Sequence, residues 1–365
     1  MATLSEIAAH ITEHAKLLDE HLQSKNLPPP SFAIDAPPDF PNPEKDPRVE
    51  AARVALIEDT QTLRNLALGP AHVVREVGWS LLLRQSSTIG LFHEPSPNHI
   101  AHTASSALLF KDKALNDWFG HHLEEVFPAG VELADVVAGG EGIGMGKGKS
   151  AFRVAFGVKE SFWEFLEMNP ERQRRFLGAM KAVGGDGDGG HDLGHVVGGW
   201  DWGGLPEGAV VVDVGGSSGP LSIALAQSTI HTNPNLTFMV QDYAHTIDSG
   251  RADVYVLRHV CHNWSDGHAA RILGGIVPVM KRSSRILLVE VVVVEPGVVG
   301  RVQERYMRNV DVTMFQMLGT QERSREDWER VVGIVDGGNG KGKLGIKGVS
   351  KPEGSWDSII EVGFV

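Results

Sequence analysis

The stretch AVVVDVGGSSGPLSIALA, residues 209–226, constrains this chain more than any other. Its short apolar opening predicts a buried parallel strand, and the apolar spacing after Pro220 predicts a helix. Between them lie Gly215, Gly216 and Gly219, residues that tolerate unusual backbone angles and let a ligand approach the main chain. Pro220 suits the first position of a helix. The dinucleotide fingerprint G-x-G-x-x-G is not met, because counting from Gly215 places Ser217 and Pro220 where glycine is required. A nicotinamide cofactor is therefore disfavoured. Taken alone, the turn fits a plain tight turn as well as a ligand cradle.

The downstream sequence repeats the strand pattern. Asn235–Gln241 predicts a second strand ending at Asp242, about 20 residues or a little more past the turn, where a carboxylate reaches ribose hydroxyls. Asp253–Val260 predicts a third strand running into Cys261, His262, Asn263, Trp264, Ser265 and Asp266, and Arg285–Val294 a fourth. Ser265 is the expected N-cap of a helix reaching Lys281, and Ser324–Asp327 is a capping-box signature. Leu344–Val349 and Ser358–Val365 read as a closing antiparallel hairpin. The fold class is α/β on the C-terminal side, preceded by a mainly helical region.

That N-terminal region opens with Leu4, Ile7, Ile11, Leu18 and Leu22 at helical steps, followed by a proline-rich linker over 26–47 and a second helix over Arg48–Leu68. A helix over 71–89 and a small wing with its return strand at 90–103 resemble a winged-helix unit. Helices are expected over 105–127 and 160–183, the second interrupted at Asn169-Pro170. Phe162, Trp163, Phe165, Phe176 and Met180 give it an apolar face that is core by default. The segment 139–150 ends in Gly-Lys-Ser, but Ile143 stands where a phosphate loop needs glycine, so a flexible loop is expected. His191 and His195 have the spacing to share a helix face and a metal, yet the glycines before them disfavour a helix. A linker between domains is expected there, and no metal site.

A chain of 365 residues is long enough for two domains, and 34 Lys and Arg against 46 Asp and Glu, a net charge of −12, argue against nucleic acid and anionic membranes. The single cysteine, Cys261, excludes an internal disulfide and reads as a packed residue, consistent with a reducing, cytoplasmic setting. Acidic residues at 6, 13 and 19 break any apolar run at the N-terminus, so neither a signal peptide nor a membrane span is expected.

The succession VVDVGGSSG, VQD, ADVYVLRHVCHNWSD, LLVEVVVVEPG and QERSREDWE resembles the S-adenosylmethionine-dependent O-methyltransferases of the plant caffeic-acid type and their fungal relatives acting on aromatic secondary metabolites. The resemblance implies a Rossmann-like class I methyltransferase sheet over 209–365, with S-adenosyl-L-methionine as cofactor. It implies a helical dimerisation and acceptor-pocket domain over 1–182, with a shortened winged helix about 71–104, and a glycine-rich linker over 183–208. It further implies methyl transfer to a phenolic or polyketide-like hydroxyl of a small molecule. His262 is then the general base, with Glu290 and Glu322 beside it. A phenol with a pKa of about 10 is protonated at neutral pH, so such a base is needed. Cofactor contacts are implied at Asp213, Gly215, Gly216, Gly219, Asp242, Arg258 and Trp264, and acceptor contacts at Phe176, Met180 and Asn263. N-terminal helices of this kind imply a homodimer.

Two segments of the family pattern have no counterpart, one in the winged region and one after Asp242. Only ten residues, 243–252, separate Asp242 from Asp253, fewer than a parallel crossover with a helix normally uses. Two other functions remain open on the same residues: a non-catalytic protein with this fold, and a relative catalysing a pericyclic or rearrangement step.

Overall fold

In a computed structural model the chain is described over residues 2–68, 92–102, 104–139, 150–184, 189–242, 252–335 and 342–365. The helix expected over 71–89, most of the glycine-rich loop at 139–150 and the segment following Asp242 lie outside the described residues. The chain divides into two compact units, Met1–Asn116 and Asp117–Val365.

In the first unit, α1 (Leu4–Ser24) is opened by a capping box between Thr3 and Glu6. Its apolar stripe buries Ile7, Leu18 and Leu22. The second helix, α2 (Pro47–Leu68), begins with proline at its first position and contributes Val49 and Ala52 to a small core with Leu18. The proline-rich connection between them is tied down by the Lys25–Glu44 ion pair, 2.8 Å. Strands β1 (Phe92–Ser96) and β2 (His99–His102) form an antiparallel hairpin where the wing is expected, and α3 (Ala104–Lys111) follows.

A layer of helices opens the second unit. Helix α4 (Lys113–His121) passes through a π-helical turn, His122–Val126, into α5 (Phe127–Ala138). Then come α6 (Ala151–Phe156), α7 (Phe162–Met168) and α8 (Pro170–Gly184). The expected break falls at Asn169, because a residue before proline is driven out of the helical region. Phe152, Phe162 and Phe165 form the aromatic core of this layer, and Phe176 and Trp163 pack against it.

The stretch expected to act as a linker is structured from residue 189 onward. After a short 3₁₀ turn, Gly189–His191, the Asp192 side chain accepts a hydrogen bond from Gly194 N (2.7 Å) and caps α9 (Leu193–Gly199). Capping and the burial of Leu193, Val196 and Trp202 in the sheet's core outweigh the low helical propensity of the glycines.

The sheet is built from β3 (Val210–Val214), β4 (Thr237–Gln241), β5 (Val254–Arg258) and β6 (Arg285–Glu290), all parallel. The antiparallel pair β9 (Leu344–Ser350) and β10 (Ser358–Phe364) closes it, as the sequence predicts, in the order β4-β3-β5-β6-β10-β9. A minor ladder joins β7 (Val292–Val293) to β8 (Arg323–Ser324). Alternate residues of β5 face opposite cores: Tyr255 and Leu257 meet the side of α11 (Asp266–Ile276) and α13 (Arg325–Gly333), while Val254 and Val256 meet α9 and α10 (Pro220–Thr229). Helix α12 (Arg301–Leu318) connects the sheet to the helical layer through Met317 and through Gln316 Nε2, which donates to Val126 O at 3.1 Å. No helix among the described residues is long and apolar enough to cross a membrane.

Candidate active site

Strand β3 delivers the chain into the glycine turn at the carboxyl edge of the sheet. Gly215 and Gly219 take left-handed angles, φ +76° and +80°, and Pro220 starts α10. A Cβ at Gly215 would lie 2.7 Å from Val260, and one at Gly219 would lie 2.9 Å from Val240. The turn is thus a cleared strip of backbone lying directly against the loop that follows β5. Asp213 sits beneath it, 3% exposed, and accepts a hydrogen bond from Ser222 Oγ at 3.0 Å. Burial, partly offset by Ser222, raises its pKa above the ordinary carboxylate value. Asp242, at the end of β4, accepts from Ser217 N at 2.6 Å, which joins the second strand to the turn.

Gly216 has a different constraint, since a Cβ there would stand 2.5 Å from the Asp213 carboxyl carbon. Gly216→Ala is expected to cost about 1–3 kcal/mol in urea unfolding, because the added methyl overlaps a side chain that is itself buried. A loss under about 0.5 kcal/mol would mean that Asp213 is free to retreat.

Beyond β5 the chain bends at His259 and forms a single 3₁₀ turn, Cys261–Asn263, that carries His262. His262 Nδ1 lies 2.6 Å from Glu322 Oε1 and 3.9 Å from Glu290 Oε2. Glu290, the last residue of β6, accepts from Cys261 N at 2.8 Å, and Glu322 is fixed by its own N–H donating to Asp311 at 2.8 Å. One oxygen of each glutamate, Oε2, is buried without a hydrogen-bond partner among the described residues. Burial alone would depress the imidazole, but Glu322 and then Glu290 overcome it and raise His262 to about 9. Burial, opposed by His262, pushes Glu290 up to about 7. Burial also raises the pKa of the Cys261 thiol, which is fully enclosed and acts as core.

The three catalytic candidates are therefore brought together, and so are the glycine turn, Asp213 and Asp242. Arg258 Nη2 donates to His191 O at 2.8 Å, while its Nε is buried without a partner among the described residues. Asn263 turns inward, its Nδ2 donating to His259 O at 3.0 Å. Trp264 stacks on Trp163 at 6.4 Å, and Trp163 in turn meets Phe176 at 5.6 Å. Met180, by contrast, is exposed.

The sequence reading missed Arg323, whose guanidinium is fully buried behind the His262 loop, and the cluster of His191, His259 and Asp357. Both that cluster and the His262, Glu290 and Glu322 group bring three donor atoms within 4.8 Å of one another, a donor set that could hold a metal.

The model of the O-methyltransferase domain family matches residues 249–335. O-methyltransferase VdtC of Byssochlamys spectabilis is 31% identical over 340 residues, with 84% of this chain and 74% of that protein aligned. O-methyltransferase aurJ of Gibberella zeae is 28% identical over 425 residues, covering 96% of this chain and 95% of its own length. That alignment is longer than the chain itself, so aurJ carries internal residues that this protein lacks. Among solved structures, LepI in complex with SAM superposes with a TM-score of 0.68 at 17% identity, covering 98% of this chain and 100% of LepI.

Proposed function

The chain belongs to the O-methyltransferase family, and on that premise we propose that it transfers a methyl group from S-adenosylmethionine to a phenolic or polyketide-like hydroxyl of a small secondary metabolite, with His262 as general base. The observation that carries this is the grouping of Glu322 and Glu290 around His262, which lies in the loop packed against the glycine turn. Cleared backbone at Gly215 and Gly219, with Asp242 and an Arg258 Nε that has no partner among the described residues, fits a bound nucleoside cofactor. Asp213 supports that turn from below through its bond to Ser222, and Trp264 is assigned to the cofactor as well. When bound, the cofactor supplies an electrophilic methyl group on a sulfonium sulfur. The SAM complex of LepI, which shares this fold, supports the choice.

His262 Nδ1 is committed to Glu322, which leaves Nε2 to take the acceptor's proton. Glu322 and Glu290 then stabilise the imidazolium, as a carboxylate does in a catalytic triad. The ring sequence Phe176, Trp163, Trp264 supports an aromatic acceptor, with Asn263 and Met180 as further candidates for contact with it. Acceptor recognition is assigned to 1–182 and cofactor binding to 209–365. A cytosolic homodimer formed through the N-terminal helices completes the proposal, and the intact trio favours methyl transfer over a rearrangement or a scaffold role.

Calorimetric titration of the whole chain with S-adenosylhomocysteine tests this. The expected result is micromolar binding, about −8 kcal/mol, weakened at least about tenfold in Asp242→Ala. A folded protein that binds none would overturn the proposal. Binding would justify a screen of phenolic acceptors.

A further inference from the structure

His259 is a left-handed residue at the point where β5 ends, with φ +51°. A non-glycine residue in that conformation costs about 1–3 kcal/mol and persists only where its surroundings enforce it. Here every polar group of the residue that bears on the bend is held. Its N–H donates to Val289 O at 3.0 Å, and its carbonyl accepts from Asn263 at 3.0 Å. Its Nε2 hydrogen-bonds Asp357 Oδ1 at 2.9 Å.

Asp357 precedes β10 and lies 98 residues away in sequence from His259. It is 2% exposed, donates its own N–H to Ser355 Oγ within the turn (3.1 Å), and also accepts from His191 Nδ1 at 2.9 Å. His191 Nε2 then accepts from Tyr306 OH at 2.9 Å, and Trp356 lies on Tyr306 with ring centroids 4.1 Å apart. Gly190 leaves room for this arrangement, since a Cβ there would be 2.1 Å from the Trp356 ring. The result is a rigid corner made from four segments remote in sequence: the approach to α9, the end of β5, α12 and the start of β10. The His259 ring is stacked on the His262 ring, centroids 5.5 Å apart and planes inclined by 29°.

We propose that Asp357 is a positioning residue for His262: by holding the His259 ring and, through it, the left-handed bend, it fixes the imidazole of His262 against Glu322 and Glu290. This rests on reading His262 as the general base. Nothing in the O-methyltransferase reading itself calls on His191, His259, Asp357 or Tyr306. A metal held by His191, His259 and Asp357 is the competing occupant of the corner. It is disfavoured because the Arg258 guanidinium is already bonded to His191 O there, and because both imidazoles have the Asp357 carboxylate as hydrogen-bond acceptor.

The charges facing the corner agree with this assignment. Around Asp357 and His259 stand His191, Arg258, Tyr306, His262, Glu290 and Lys351. Burial pushes His259 down to about 4 despite Asp357, so it is a neutral hydrogen-bond donor at working pH. Burial works against Asp357 ionising, yet His259 and His191 hold its carboxyl well below the usual range. Its negative charge adds to those of Glu322 and Glu290 in favouring protonated His262.

The test uses the whole chain with ¹⁵N in its histidine rings, so it needs no acceptor. Wild type is compared with Asp357→Asn and with His259→Asn, which keeps the bend because asparagine tolerates left-handed angles. His262→Ala identifies the His262 signals. Wild type is expected to show a downfield, exchange-protected Nδ1–H of His262 and titration near pH 9. In Asp357→Asn that proton should exchange at least about tenfold faster and the titration should move down by roughly half a unit. His259→Asn should give the same faster exchange, and it decides the matter alone if Asp357→Asn does not fold. Unchanged His262 signals in both variants would overturn the proposal. So would stoichiometric zinc or iron in the purified protein whose chelation perturbs His191 and His259. Full methyl transfer by His262→Ala would instead remove the general-base reading while leaving the positioning result standing.

Discussion

His262→Ala is expected to lower methyl transfer by about 10²–10⁴-fold while S-adenosylhomocysteine binding changes by less than about threefold. The separation follows from the geometry. His262 engages Glu322 at 2.6 Å, whereas the cleared backbone of Gly215 and Gly219 belongs to the neighbouring turn, which touches this loop through Val260. On the proposed mechanism, rate and binding draw on different side chains. The wild-type pH profile carries the same logic. A general base acts in its neutral form, and His262 is raised to about 9 by the two glutamates against the opposing effect of burial. Below that value most of the enzyme holds an imidazolium, so activity should climb about tenfold per unit as pH rises from 7 and level off near 9. Glu322→Gln removes the first of the supporting charges and should move that rise to lower pH. Stopped-time assays across pH 6–10 with a radiolabelled methyl donor read both effects. A flat profile, or an alanine variant as fast as wild type, would show that the acceptor loses its proton without His262.

How much of this was legible depended on whether the interaction is local. Apolar runs marked β3, β5 and β6 within a few residues, since a strand buried on both faces must be nearly continuous in Val, Ile and Leu; β4, at the end of the strand order, is only partly buried. Caps were equally visible: Ser324 and Asp327 form the box that their spacing predicts. Ser265 is the N-cap residue of α11, but its hydroxyl pairs with His268 Nδ1 at 2.8 Å instead of a backbone N–H. His262, Glu290 and Glu322 are singled out only because the resembling family pattern names them; nothing local to residues 262 and 322 says that sheet closure will bring them to 2.6 Å. Asp357 and His191 had no such signal. His191 follows a glycine-rich run that suppresses any helical expectation, and its partner lies 166 residues away. Asn263, expected at the acceptor, also donates its Nδ2 to His259 O, a bond that closes the bend and that its sequence position does not announce.

Arg323 is the clearest case of a residue whose importance only the fold reveals, and its replacement should have the largest effect on stability. It sits between Glu322, which holds His262, and Ser324, which caps α13. Successive residues of an extended segment point to opposite sides, so Glu322 and Arg323 reach the His262 loop from different directions. Arg323 Nη1 donates to Cys261 O at 2.9 Å, Nη2 to Trp264 O at 2.6 Å and Nε to Asp266 Oδ1 at 2.9 Å, with the guanidinium 5.0 Å from the Trp328 ring centre. A planar fork satisfies three acceptors at fixed angles, which a lysine ammonium cannot reproduce. Arg323→Ala takes its donor from Trp264 O, leaves Cys261 O with only the Trp264 N–H at 3.1 Å, and strips Asp266 of its buried partner, so it should cost about 3–5 kcal/mol in urea denaturation. Arg323→Lys should recover less than half of that loss. The Asp266→Asn change, which keeps the shape and removes only the charge, should cost less, because Asp266 is partly exposed and also faces Arg330 at 3.6 Å. A loss below about 1 kcal/mol in Arg323→Ala would mean that the loop is held by Glu290 and the 3₁₀ turn alone, and that the buried guanidinium could be replaced without disturbing His262.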